Sequence, residues 1–311
     1  MKLGWNDNAV DLIGDIHGHA DKLKELLKKL EYTKNGSGYS HPERKVIFIG
    51  DYIDRGPQIK ETLEIVKQMN EEGNAIALMG NHEYNALCFH SIDGSGGHLR
   101  KHSIKNIVQH YKTLEQFKNF EKDYSMYIAW CKTLPLFFET SSYRAVHACW
   151  EDRSINFLRD NLVNNKFDDQ LLFQSTKKGS KFNNSIDITL KGKEIALPNG
   201  ITFTDKDGDI RKDIRVKWWI DPAATTYKDY SVESLDNLPT LKVDNSQLKF
   251  NDYYPEHSRP VFFGHYWLNG NPTLYRNNIC CLDYSVAKDG HLAAYRFNGE
   301  KELDQKNFVF V

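Results

Sequence analysis

At 311 residues, with 41 basic and 42 acidic side chains and 40% hydrophobic residues, the chain has the make-up of a water-soluble globule with room for one large core. A formal charge of −1 offers no basic excess for holding nucleic acid nonspecifically, and no apolar run approaches the roughly 18 residues of a membrane span. The five cysteines, Cys88, Cys131, Cys149, Cys280 and Cys281, lack CxxC or disulfide-framework spacing and read as buried thiols. Together with an apolar-poor Met1–Asp7, they predict a cytoplasmic, membrane-free protein.

The first pattern is a strand, Ala9-Val10-Asp11-Leu12-Ile13, ending in Gly14-Asp15-Ile16-His17-Gly18. A helix follows, with Asp21 as its expected N-cap and Leu23, Leu26, Leu27 and Leu30 at helical spacing. After a turn around 35–38, the apolar run Val46–Ile49 delivers Gly50-Asp51-Tyr52-Ile53-Asp54-Arg55-Gly56-Pro57, and Ile59–Met69 reads as a second amphipathic helix. The unit repeats once more, as Asn74–Met79 ends in Gly80-Asn81-His82-Glu83 before a helical Tyr84–Phe89. In a parallel sheet the three strand ends share one rim, so Asp15, His17, Asp51, Asp54, Asn81 and His82 can converge.

The stretch 93–127 reads as a helical cap whose His98, His102 and His110 are surface or hydrogen-bonded groups. Leu134–Phe138 and Tyr143–Val146 are predicted strands, the second delivering His147. From about 151 to 258 the composition shifts toward Asn, Asp, Lys and Ser. This segment is expected to be an insertion or cap within a single domain of 1–311, with a helix at Ile155–Val163 and strands at Gly200–Thr204 and Ile214–Trp219. Asp205-Lys206-Asp207-Gly208-Asp209 lacks the glycine position and closing Glu of a calcium loop and reads as a hairpin turn. Pro260–Phe263 then delivers His265, and Asn278–Asp283 and Leu292–Phe297 complete the strands.

Collected, Asp15, His17, Asp51, Asn81, His147 and His265 form a donor set for two divalent cations. A shared carboxylate, imidazoles and an amide oxygen suit a pair of ions about 3.5–4 Å apart that clamp the attacking and leaving oxygens of a phosphoester displacement. Mixed nitrogen and oxygen donors disfavour a pure magnesium cage. Manganese is the first candidate, with iron and zinc as alternatives.

GDIHG at 14–18, GDYIDRG at 50–56 and GNHE at 80–83, in that order, resemble the calcineurin-like metallophosphoesterases. The similarity lies with the branch holding serine/threonine phosphoprotein phosphatases and symmetrical diadenosine tetraphosphatases; His147 in AVHACW and His265 in FFGHYW extend it more loosely. The resemblance implies an α/β sandwich of mixed β-sheets flanked by helices. It implies Asp15 and His17 on one metal, Asn81, His147 and His265 on the other, and Asp51 bridging both. A metal-bridging hydroxide would attack phosphorus, His82 would serve as general acid oriented by Asp54, and Arg55 would bind the phosphoryl oxygens. For the family's second phosphate-binding arginine, Arg215 and Lys217 are the nearest candidates.

The leading expectation is a hydrolase of phosphomonoesters, with phosphoserine or phosphothreonine proteins as candidate substrates. The alternative is a dinucleoside polyphosphate hydrolase, its base pocket lined by Trp218, Trp219 or Trp267. An RNA-end phosphatase would want a basic groove, which the net charge of −1 does not encourage, and a catalytically silent binding module of the same fold is the remaining class.

Overall fold

A computed structural model describes residues 7–35, 38–204, 208, 210–233, 238–244, 246, 248 and 252–311. The first half runs β1 (Val10–Ile13), α1 (Ala20–Lys29), β2 (Thr33–Asn35), β3 (Gly38–Ser40), β4 (Lys45–Phe48), α2 (Ile59–Glu71), β5 (Ala75–Ala77) and α3 (Asn81–His90). Helices α4 (Ile104–Phe117) and α5 (Glu121–Cys131) lead to β6 (Phe137–Glu139) and β7 (Arg144–Val146). Next come α6 (Asp152–Asn161), α7 (Asp169–Ser175), α8 (Lys181–Lys191), β8 (Glu194–Ala196), β9 (Phe203–Thr204), β10 (Ile210–Arg211), β11 (Asp213–Arg215) and α9 (Tyr227–Tyr230). The chain closes with β12 (Val261–Phe263), β13 (Ile279–Cys281), β14 (Asp283–Tyr284), β15 (His291–Phe297) and β16 (Phe308–Phe310).

Two sheets carry the architecture. One has the order β14-β15-β1-β4-β5, with β16 on β15; β1, β4 and β5 are parallel and β15 is antiparallel to β1. The other has the order β13-β12-β7-β6, with β7, β12 and β13 parallel. Val10, Leu12, Ile47, Ile49, Phe262, Cys280, Tyr295 and Phe297 form the core between the sheets. Their neighbours Ile13, Val46, Phe48, Val261, Phe263 and Cys281 face outward into the helix-covered core. Strands covered on both faces need apolar residues at every position, which is why they read as runs and not alternations. Asp11, fully buried on β1, is the exception, and Arg44 and Arg296 each reach its carboxylate at 3.1 Å.

Several boundaries depart from the sequence expectations. His19 precedes α1, so Asp21 lies inside the first turn, where it pairs with Lys24 and accepts from Gln58. The segment after α6 holds two further helices, α7 and α8, to which the sequence reading assigned no element. The predicted strand 214–219 stops at Arg215; the chain turns, and Trp218 and Trp219 bury themselves against Phe263. Strands β9 and β10 pair antiparallel around 205–209, of which only Gly208 lies among the described residues. The five cysteines are buried and free.

Candidate metal centre

Strands β1, β4 and β5 from one sheet and β7 and β12 from the other all point their carboxyl ends at the same rim. The motif loops there are locked to one another by backbone hydrogen bonds: Ile16 and His17 donate to Asp51 O, Gly18 to Tyr52 O, and Gly56 to His17 O. His17, Asp51, Asp54, Arg55, His265 and Trp267 all adopt positive φ, between 46° and 75°. Non-glycine residues held this way cost on the order of 1–3 kcal/mol each and persist only where the surroundings over-determine them. Gly80 and Gly264 permit the close approach: a Cβ on Gly80 would sit 2.2 Å from Asp51 Oδ1, and one on Gly264 only 1.9 Å from Asp15 Oδ1.

The donor atoms face one another. Asp51 Oδ2 lies 3.6 Å from His17 Nε2 and 3.5 Å from His147 Nε2. Asn81 Oδ1 lies 3.0 Å from His147 Nε2 and 2.8 Å from His265 Nδ1, and His265 N donates to Asp15 Oδ2. Donor atoms of His17, Asp51 and His82 fall within 4.8 Å of one another, as do those of Asp51, His147 and His265, so Asp51 belongs to both groups. His17 and His147 spend Nδ1 on the carbonyls of Ile53 and Ile49, which aims each Nε2 inward.

These residues fit a pair of divalent cations. Asp15 Oδ1, His17 Nε2 and His265 Nε2 are buried with no hydrogen-bond partner, an arrangement that is costly unless an ion completes it. Burial, with Asp283 and Asp51 nearby, pushes Asp15 well above the usual carboxylate range. Burial, reinforced by His82, pulls His17 down to about 3, so its ring stays neutral and keeps a lone pair. Carboxylates gathered beside imidazoles with an inward-facing ring nitrogen are the donor chemistry that a divalent cation takes.

Beside the cluster, His82 Nδ1 lies 2.5 Å from Asp54 Oδ2, leaving Nε2 toward the donors, 3.9 Å from Asp51 Oδ2. Burial disfavours the imidazolium, but the carboxylates of Asp51 and Asp54 outweigh it and push His82 up to about 9. Arg55 is exposed and stands 5.3 Å over the Trp267 ring, which stacks on His17. Arg55, Trp267 and Arg215 line one cavity with Asp54, Asn81, His82 and His265. Lys217 does not join them: it lies in a separate cavity with Trp219 and Tyr275 and donates to Asp229 O, because the chain turns after Arg215.

Four contributors escaped the sequence reading. Glu83 accepts from the backbone N–H groups of Asp51, Tyr52 and Gly80, tying two motif loops together. Asp283 accepts from Trp267 N. His110 and Thr113, on α4, both bond Asp54 Oδ1. Their signal was an inverted helix: Ile104, Val108 and Tyr111 are exposed while His110, Thr113 and Phe117 are buried.

A two-sheet sandwich with this rim is the frame of a dinuclear phosphoesterase, and the comparisons agree. Residues 9–190 match the family described as calcineurin-like phosphoesterase, and the chain belongs to that family, whose members use a dinuclear divalent metal centre. An asymmetrical bis(5'-nucleosyl)-tetraphosphatase, PrpE, of Oceanobacillus iheyensis is 36% identical over 110 residues, covering 35% of this chain and 43% of that one. The chain thus matches less than half the length of that relative. A symmetrical bis(5'-nucleosyl)-tetraphosphatase of Buchnera aphidicola is 25% identical over 313 residues, covering 96% of this chain and 98% of its own. A serine/threonine phosphatase from Saccharomyces cerevisiae, described as similar to human phosphatase PP5, shares the fold over 98% of this chain and 79% of its own. Its identity is 13% and its TM-score 0.50. No helix among the described residues is long and apolar enough to cross a membrane.

Proposed function

We propose that the protein hydrolyses dinucleoside polyphosphates at a dinuclear metal centre held by Asp15, His17, Asp51, Asn81, His147 and His265. Bound divalent cations supply Lewis acidity to the phosphoryl oxygens and lower the pKa of coordinated water. Manganese is our first candidate for that pair, then iron or zinc. His82 gives its Nε2 proton to the leaving oxygen while Asp54 fixes Nδ1–H, and Arg55 forks onto the transferred phosphoryl group.

The observation that carries the substrate class is the charge along the cavity. Arg55, Arg100, Lys191, Arg211 and Arg215 line it, against the carboxylates of Asp54 and Glu194. One phosphomonoester does not need so many cations; a chain of phosphates does. Arg100 in particular is half-buried and spends its guanidinium on the neutral amides of Asn85 and Gln109. The relatives named as tetraphosphatases support the same class, whereas the likeness to the protein phosphatase supports the fold alone.

In this reading 151–258 is a cap on a single domain. Support comes from Ile195, Leu197, Phe203, Ile214, Val216, Tyr227, Tyr230, Leu238 and Val243, which form a small core of their own. Lys191, Glu194, Arg211 and Arg215 of this segment reach the cavity.

The test is kcat/KM for diadenosine tetraphosphate against a phosphothreonine peptide, on protein reconstituted in turn with manganese, iron and zinc. The larger value for the dinucleotide is expected, and the nucleotide products read the position of the cut. A larger value for the peptide overturns the substrate, and silence with every metal supports a binding module.

A further inference from the structure

Asp54 is buried, and a hydrogen-bonded line runs from it to the protein exterior. Its Oδ2 faces His82 Nδ1, while its Oδ1 accepts from His110 Nδ1 at 2.8 Å and from the Thr113 hydroxyl at 2.5 Å. Thr113 Oγ1 also accepts from Asp54 N at 3.0 Å, so its single proton is the one that Asp54 Oδ1 receives. On its other side His110 Nε2 lies 2.6 Å from the Tyr124 hydroxyl, which lies 2.8 Å from Nε2 of the exposed His90.

We propose that His110 is a positioning residue for the leaving-group acid, and that Tyr124 and His90 hold it in the tautomer this requires. The proposal rests on the assignment of His82 as that acid. A carboxylate has only acceptors, so His110 must present Nδ1–H to Asp54, and a neutral ring then has its lone pair at Nε2. Tyr124 supplies the matching O–H, and its oxygen takes the N–H of His90. Each bond therefore sets the direction of the next, from His90 to Tyr124 to His110 to Asp54. With both donors seated on Oδ1, rotation of the Asp54 carboxylate is blocked and Oδ2 stays aimed at His82.

The line orients the acid and does not refill it. When His82 gives its Nε2 proton to the leaving oxygen, Nδ1 still carries a proton, so none can enter from the Asp54 side. Reprotonation at Nε2 comes from water in the cavity. A positioning partner of this kind is worth about 10- to 100-fold.

The experiment compares phenyl phosphate, a poor leaving group, with p-nitrophenyl phosphate on the metal-loaded full chain. His110→Ala is expected to lower kcat on phenyl phosphate about 10- to 100-fold and on the nitrophenyl ester by no more than about threefold, because only the former needs the proton. His110→Asn, whose amide N–H takes nearly the place of Nδ1–H, should recover most of the loss. Tyr124→Phe, which removes one oxygen and preserves packing if His110→Ala does not fold, should show the same selective loss to a smaller degree. Equal losses on both esters, or no recovery with His110→Asn, overturn the proposal. His82→Asn separates the causes: if it too lacks leaving-group dependence, the acid assignment has failed, and if it alone shows dependence, the positioning role has failed.

Discussion

Gly264→Ala tests the centre by steric means alone. Gly264 leads out of β12 directly into His265, and its φ lies outside the left-handed region, so alanine brings no backbone penalty there. The new methyl carbon would stand 1.9 Å from Asp15 Oδ1 and 3.0 Å from its carboxyl carbon, where ordinary contact begins at 3.4 Å. Asp15 must retreat by about 1.5 Å, and the bond from His265 N to Asp15 Oδ2, now 3.0 Å, is lost with it. Overpacking of this kind costs about 1–3 kcal/mol of stability, which a large domain survives. The site fares worse, because a displacement of about 1 Å in a reacting constellation costs on the order of 10²-fold in rate. We expect metal content, measured by mass spectrometry after gel filtration, to fall below that of the wild type. Turnover of p-nitrophenyl phosphate should fall by about that factor, while the melting curve in chelator stays cooperative. Full occupancy with turnover within about threefold of wild type would show that Asp15 is not a ligand held in place by this glycine.

Arg100→Gln should raise KM for diadenosine tetraphosphate about tenfold, the loss of roughly one charge-assisted phosphate contact, with a smaller effect on p-nitrophenyl phosphate; equal effects contradict a polyphosphate cavity. Burial disfavours the Asp54 carboxylate, but hydrogen bonds from His110 and His82 outweigh it and hold Asp54 below the usual carboxylate range. Its stabilising contribution is therefore present above the unfolded value of about 3.9 and is lost as pH falls through the folded one. Asp54→Asn should lower the urea midpoint at pH 7, and the gap should narrow toward about pH 3; a gap that widens in acid refutes the sign. Lys193, 3% exposed between α8 and β8, reaches Asp252 at 3.2 Å and pairs with Glu151 at 2.9 Å, holding the first residue of the 151–258 segment to its middle. Lys193→Met should cost about 3–5 kcal/mol by stranding that carboxylate, and adding Glu151→Leu should recover much of it; a double variant no more stable than the single one contradicts the pairing.

Much of the centre was legible because it is locally encoded. Each of the first three strands is an apolar run of a few residues that must end where a charged loop begins. Parallel pairing then brings Asp15, Asp51 and Asn81 to one rim whatever the loops do. His147 and His265 were weaker, single residues whose meaning depends on a second sheet facing the first.

Arg215 and Lys217 mark the limit. Continued as a strand, 214–219 would place both on one face by its period of two, yet β11 ends at Arg215 and sends Lys217 to another cavity. His110 marks a different one: its helix turns apolar residues to the exterior and polar ones to the core, because Asp54, 56 positions earlier, needs partners there. Sequence alone determined which chemical groups the strand tips carry, since an apolar run and the loop after it are short-range facts. Only the folded chain decided which distant imidazoles, guanidiniums and hydroxyls complete them, because buried charge selects its partners by distance in space and not along the chain.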